Sequence, residues 1–332
     1  MMKAMKIIII SLILTLVAAS FSEASLRKPG INGAAFLKIG VGSRMVALGS
    51  AVTTISGDPN TIFWNPAGIV IDAGKTQVGV NYNNWLIGMK HTAGVVTHSF
   101  GDLGTVGVGF IHIGLSNILA DRDIAPPGYK QYQIDQATSA TYNYSDIALM
   151  ASYAKAVTDH FNMGMTVKYI REHIDNKAAS SVAFDFGVIY KTGFRDLKIG
   201  ARMSNLGNDL TFFAMHAPIP LSFAIGTSMS LAKEENTQVK AFFDFVKPQD
   251  NPQLYFLGAE WNLYNRLVAR GGYKFNYSGV TDKEGTYQTA EGFSFGLGLN
   301  VPVAGYELWF DYAFTNFDLF NNTNRFTLKF EF

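Results

Sequence analysis

Bulky and small side chains alternate with a period of two along most of this chain. In Phe293-Ser294-Phe295-Gly296-Leu297-Gly298-Leu299-Asn300-Val301 every odd position is bulky and every even one small or polar. Tyr306, Leu308, Phe310, Tyr312 and Phe314 alternate in the same way with Glu307, Trp309, Asp311, Ala313 and Thr315. Successive side chains on a strand point to opposite faces, so each run predicts a strand with one apolar and one polar or small face. The runs lack three-to-four spacing and are rich in Gly, Phe, Tyr and Val, which argues against helix. They lie over 76–86, 89–100, 103–114, 145–157, 160–174, 179–191, 196–205, 219–232, 237–247, 253–264, 267–276, 290–300, 305–316 and 324–332. Most exceed the roughly 5–6 residues usual for soluble strands, and about 10 suits a tilted strand crossing a bilayer. The pattern predicts an all-β fold, a transmembrane β-barrel of about fourteen antiparallel strands.

A β-sandwich would alternate too, but its polar face would meet water and fill with Lys and Glu. Here that face carries Gly, Ser, Ala, Asn and isolated charges, and the bulky face is dense with aromatics, as expected of lipid outside and a lumen inside. Loop lengths argue independently. Tight connections follow the even-numbered runs, as at Gly101-Asp102, Thr158-Asp159 and Asn265-Arg266. Long ones follow odd-numbered runs, over 115–144, 206–218, 276–289 and 316–323. That parity belongs to outer-membrane barrels, and an even strand count leaves both barrel ends on the short-turn, periplasmic side. Tyr82, Trp85, Tyr255, Trp261, Tyr264, Tyr273, Tyr277 and Trp309 fall near run ends and are candidates for aromatic girdles. The last run places Phe326, Leu328, Phe330 and Phe332 on alternate positions. It resembles the C-terminal signal read by the barrel-insertion machinery.

Composition fits this picture. Only 16% of residues are charged, against about 25% in average soluble domains. The net charge of +1 gives no electrostatic case for nucleic acid, and with no Cys there are no disulfides or thiolate sites. Lys3 and Lys6 precede an apolar run from Ile7 to Ala18, and Ser22-Glu23-Ala24 offers small residues at a cleavage site before Ser25. Residues 1–24 therefore read as a signal peptide, too short in its apolar run to span a bilayer, and the mature protein as exported to an outer membrane. The expected division is 1–24 signal peptide, 25–74 hatch segment and 75–332 transmembrane barrel.

Residues 25–74 do not alternate. Small residues around Gly49 and Ala51 allow close backbone approach, and in Phe63-Trp64-Asn65-Pro66-Ala67-Gly68 the proline restricts Asn65 to extended geometry. Such a compact coil fits a barrel lumen as a plug. The stretch GAAFLKIGVGSRMVALGSAVTTISGDPNTIFWNPAGI resembles the N-terminal region of the PorV/PorQ family, which is related to the FadL-type transporters of long-chain fatty acids. The matching positions are Phe36, Leu37, Ile39, Gly40, Arg44, Gly49, Ala51, Asp58, Asn65, Pro66, Ala67 and Gly68. Leu48 and Ser50 depart from the Met and Gly usual there. The resemblance implies a fourteen-stranded barrel with an N-terminal hatch, and two roles. A PorV-like protein would serve type IX secretion, binding exported proteins or a translocon. A FadL-like one would pass hydrophobic small molecules through the hatch. The loop carrying Asp121, Arg122, Asp123, Tyr129, Tyr132 and Asp135 suits a protein contact or a solvated lid.

Charges in lipid are costly, so Lys168, Asp185, Lys240, Asp244, Glu260, Glu307 and Asp311, all on the non-aromatic face, are expected in the lumen. There they would pair with one another or with Arg44 and Asp58. The sequence calls for no catalytic residue, metal or cofactor. The six His are scattered, no Gly-x-Ser-x-Gly elbow supports a barrel hydrolase, and the glycines from Gly104 to Gly109 lie within a strand rather than before a helix. The expected partners are outer-membrane lipid, with either a secretion translocon and its cargo or a hydrophobic small molecule, and no nucleic acid.

Overall fold

Alternation closes the sheet on itself. The computed structural model describes residues 32–120, 139–212, 215–275, 280–281, 287–288, 291–317 and 322–332. Fourteen antiparallel strands form a closed barrel: β1 (Thr76–Asn84), β2 (Lys90–Ser99), β3 (Thr105–Leu119), β4 (Thr141–Thr158), β5 (Phe161–Ile174), β6 (Lys177–Lys191), β7 (Lys198–Gly207), β8 (Ser222–Glu234), β9 (Thr237–Pro248), β10 (Leu254–Leu263), β11 (Leu267–Phe275), β12 (Phe293–Val303), β13 (Tyr306–Thr315) and β14 (Thr323–Glu331). Each pairs with its sequence neighbours, and β1 meets β14 in the register Gln77 with Glu331 through Asn84 with Asn324. Two small hairpins, Leu210–Phe212 with Met215–Ala217 and Val280–Thr281 with Tyr287–Gln288, decorate the loops. Among the described residues no helix is long and apolar enough to cross a membrane; the strands are what cross.

The turns at one end are short, over 100–104, 159–160, 192–197, 235–236, 264–266 and 304–305. In the turn at 304–305, Ala304 and Gly305 both take positive φ, as a two-residue hairpin that follows strand twist requires. The other end carries 120–140, 208–221, 249–253, 276–292 and 316–322, with brief links at 85–89 and 175–176. The 121–138 part of the polar loop singled out from the sequence, with its Asp, Arg and Tyr residues, lies outside the described residues, as do residues 1–24.

Outward positions form the lipid-facing band: Met163, Met165, Val167 and Tyr169 on β5, and Phe293, Phe295, Leu297 and Leu299 on β12, are all exposed. The inward face is not simply polar. Ile111, Ile113, Ala148, Met150 and Ile170 point into the lumen and bury themselves against Phe36, Val41, Ile62 and Ile69. A second cluster joins Met45, Leu48, Ala51 and Val52 to Ala224, Phe242, Val246 and Phe256. Segment 32–74 therefore acts as the core that the wall folds around. It winds through 3-10 turns at Ala35–Lys38, Pro59–Phe63 and Pro66–Ile69 and one α-helical turn at Ser43–Ala47.

Candidate functional site

Two of those turns begin alike. Asp58 and Asn65 each precede a proline and accept a hydrogen bond from the backbone N–H two residues on, Asn60 and Ala67, both at 3.1 Å. An Asx cap followed by proline satisfies a donor the turn would orphan and pre-sets φ for the next residue. Asn65 is fully buried, and its amide also donates to Thr53 O at 2.6 Å, which joins the two ends of the hatch loop.

The hatch bears on the wall through lumen-facing glycines. A Cβ at Gly187 would fall 1.8 Å from Asn65 Oδ1, one at Gly164 2.6 Å from the Pro66 carbonyl carbon, and one at Gly272 2.0 Å from Gly49 N. Backbone packs on backbone at Gly164 and Gly272, and the Asn65 side chain packs on the backbone at Gly187, close approaches that any larger residue forbids. Polar pins complete the seat. Asp244 accepts from the N–H groups of Val52 and Thr53, each at 2.9 Å, and from the Thr53 hydroxyl at 2.7 Å, while Arg202 Nε donates to Thr53 Oγ1 at 3.0 Å.

Nearer the short turns, three cations and three anions alternate in a closed ring. Arg44 Nε meets Glu260 at 2.9 Å, Glu260 meets Arg270 at 2.8 Å, Arg270 meets Asp311 at 2.5 Å, Asp311 meets Lys329 at 3.5 Å, Lys329 meets Asp58 at 2.8 Å, and Asp58 returns to Arg44 at 3.3 Å. Two members belong to the hatch and four to β10, β11, β13 and β14. Burial alone would raise the Asp58 carboxyl, but Lys329 and Arg44 beside it lower it to about 2. Arg44 is held firmly protonated: Glu260 and Asp58 outweigh its burial.

Three cavities flank this plug. Toward the long loops, one of about 330 Å3 is lined by Phe36 and Ile39 of the hatch with Trp85, Met89, Ile113 and Phe317. The Trp85 and Phe317 rings meet edge to face, centroids 5.4 Å apart. A smaller cavity of about 130 Å3, on the other side of the Ala35–Lys38 turn, adds Phe63, Trp64 and Phe256 to Lys168 and Arg202. Toward the short turns, a polar vestibule of about 400 Å3 is lined by Arg44, Lys240, Glu260, Arg270, Glu307 and Lys329 among others. Mostly apolar space toward the long loops, a seated hatch and a charged vestibule beneath leave a plugged lumen rather than an open pore.

Comparison with solved structures bears directly on this arrangement. The toluene transporter TbuX of Ralstonia pickettii superposes with a TM-score of 0.57 at 12% identity, over 88% of this chain and 98% of that one. A FadL homologue of Pseudomonas aeruginosa gives 0.54 at 12% identity, over 89% and 98%. The CymD monoaromatic hydrocarbon channel gives 0.58 at 11% identity, over 88% and 97%. The fold is that of FadL-type outer-membrane transporters. No protein-family model and no curated protein matches the sequence, so the likeness lies in the fold.

Within this barrel, the lumen-side charges fall into distinct places. Glu260 and Asp311 join the ring, and Lys168 bridges Asp185 at 2.6 Å and Asn205 at 2.8 Å. Asp244 pins the hatch, Glu307 accepts from Asn300 at 2.5 Å, and Lys240 lines the vestibule. Gly49 lies against Gly272, and Ala67 and Gly68 are buried. Phe326, Leu328 and Phe332 face outward on β14 and its end, with Phe330 half-buried beside Tyr306. Sequence reasoning missed Arg202, Arg270, Arg325 and Lys329. Each occupies the same non-aromatic row as the acids, and that parity could have found them. Two girdle assignments are corrected. Trp309 shares the inward row with Asp311 and lies beneath the Lys329 ammonium, 5.3 Å from its ring centroid. Trp85 turns over the lumen and receives Arg325 at 5.4 Å. Tyr277 lies outside the described residues, whereas Tyr82, Trp261, Tyr264 and Tyr273 are exposed. Among the described residues no group of three His, Asp or Glu could hold a metal ion.

Proposed function

We propose that the protein is a FadL-like conduit for hydrophobic small molecules, with the hatch of residues 32–74 as its gate. The observation that carries this reading is the outer apolar cavity against the hatch, walled by Phe36, Trp85, Met89, Ile113 and Phe317. A concave, mostly apolar space, with Lys38 and Glu291 as the charged groups in its lining, suits an apolar ligand. The transporter role of TbuX and the channel role of CymD support the same reading. Phe36, Arg44, Gly49, Asp58 and Asn65 to Gly68 then act as the gate's hinge points and latches, with residues 1–24 removed on export. Uptake of labelled toluene and of a labelled long-chain fatty acid by cells depleted of their own outer-membrane route tests it. Uptake should depend on the protein and fall at least five-fold in the Phe36→Asp, Trp85→Ala double variant. Equal uptake with and without the protein would sink the reading.

A second reading, service in type IX secretion, rests on the PorV/PorQ likeness of the hatch sequence from Phe36 to Gly68. A pull-down from native membranes separates the two. Co-purification of a translocon or of proteins sharing a secretion domain favours this one, and their absence removes its support.

A further inference from the structure

The lipid-facing surface of the barrel is not uniform around its circumference. Registered neighbours on β2 to β6 give two outward rows, Lys90–Gly114–Ser145–His173–Ala178 and Thr92–His112–Ile147–Arg171–Ser180. Below them runs Gly94–Phe110–Leu149–Tyr169–Val182, which is apolar apart from the Tyr169 hydroxyl.

Height places the two rows. Lys90 stands ten residues above Phe100 at the periplasmic turn, and Arg171 ten above Phe161. At about 3.3 Å per residue and a tilt of about 40°, ten residues climb roughly 25 Å, the height of a barrel's apolar band. Both cations therefore sit where acyl chains give way to headgroups in the outer leaflet. On the other half of the barrel the same level carries Phe223, Tyr255, Phe275 and Phe293, an ordinary aromatic girdle, with Lys247 beside it. On β2 to β6 donors replace those rings. The Tyr169 hydroxyl lies 3.1 Å from Ser180 Oγ and is also reached by Arg171, and His112 Nε2 is 3.1 Å from Ser145 Oγ. Asp146, Glu172 and Asp185, the acids on these strands, all stand on inward positions. Nothing anionic within the rows competes for Lys90 or Arg171.

We propose that the outer face of β2 to β6 is a docking surface for the phosphorylated headgroup of an outer-leaflet lipid. Lys90 and Arg171 neutralise phosphate, hydroxyl and imidazole groups between them donate hydrogen bonds, and the Phe110–Leu149–Val182 row beneath receives the acyl chains. Arg and Lys with neutral donors and no carboxylate match phosphate, and an ammonium or guanidinium at a headgroup level is the usual means of holding an anionic lipid.

The test uses the full chain in micelles, titrated with a diphosphorylated lipid A-type glycolipid and with its dephosphorylated form, and read by native mass spectrometry. Three proteins are compared, each shown to be folded by heat-modified gel mobility: the unaltered chain, the Lys90→Ala, Arg171→Ala double variant and Lys247→Ala. The phosphorylated lipid should bind the unaltered chain at least five-fold tighter than the dephosphorylated one. The double variant should lose at least five-fold, and Lys247→Ala should lose less than two-fold. Equal binding of the two lipids, an unaffected double variant, or an equal loss in Lys247→Ala each overturns the proposal, the last by reducing it to diffuse charge attraction.

Discussion

A glycine on a barrel wall usually weakens its strand, yet Gly164, Gly187 and Gly272 stand where the hatch touches the wall. Gly271, one residue from Gly272 but outward, has nothing within 4 Å of an added Cβ. Gly187→Val should dislodge Asn65 and expose the hatch to protease, while Gly271→Val should leave protease resistance unchanged. Charge gives a second test at this scale. Glu260→Gln deprives both Arg44 and Arg270, and breaking a buried pair typically costs about 3–5 kcal/mol. The urea midpoint of the folded form should drop accordingly, and Asp311→Leu should act in the same direction because it strands Arg270 and Lys329. For Asp58 the sign follows from its lowered carboxyl. Its contribution is complete above the ordinary value of 3.8 and is lost as pH falls through about 2. Hatch seating should hold from neutrality to about pH 4 and fail between there and pH 2, read as channel openings in a planar bilayer.

The strands themselves are legible in the sequence. Period-two runs placed fourteen of them, and β5, β11 and β14 fall within two residues of the runs at 160–174, 267–276 and 324–332. Ends were less so. β3 continues to Leu119 and β4 starts at Thr141, because pairing persists past the apolar band through a register shift between Leu115 and Ile118. Alternation carries no signal beyond the lipid, where both faces meet water. Trp309 defeated the girdle reading for a related reason: an aromatic near a strand end is ambiguous until its parity is compared with Asp311 on the same strand. The hatch was legible as a non-alternating segment, but its partners were not. Ile111, Ile113 and Ile170 look like misplaced lipid-facing residues in the sequence, and the enclosed Phe36, Val41, Ile62 and Ile69 explain them.

At the scale of the whole molecule, a polar vestibule and a mostly apolar outer cavity are separated by a plug seated on both sides. Such a barrel should be electrically quiet. Purified protein in a planar bilayer should show conductance near baseline, and Arg44→Ala combined with Asp58→Ala, which removes both hatch members of the ring, should give discrete openings. Large, steady conductance from the unaltered chain would contradict the seated plug.

The pairing of β1 with β14 also dictates a sequence of events. Lys329 rides on the closing strand and reaches Asp58, while Thr76 and Phe332 exchange backbone hydrogen bonds at 2.7 and 3.0 Å just outside the seam. A stopper gripped from opposite walls has no room to thread in once that seam has zipped. The wall must therefore wrap around a stopper already in place, so segment 32–74 serves as a template for its own enclosure. Deleting it should slow seam closure in refolding and, because both buried clusters lose their hatch side chains, also lower the urea midpoint of the finished cylinder.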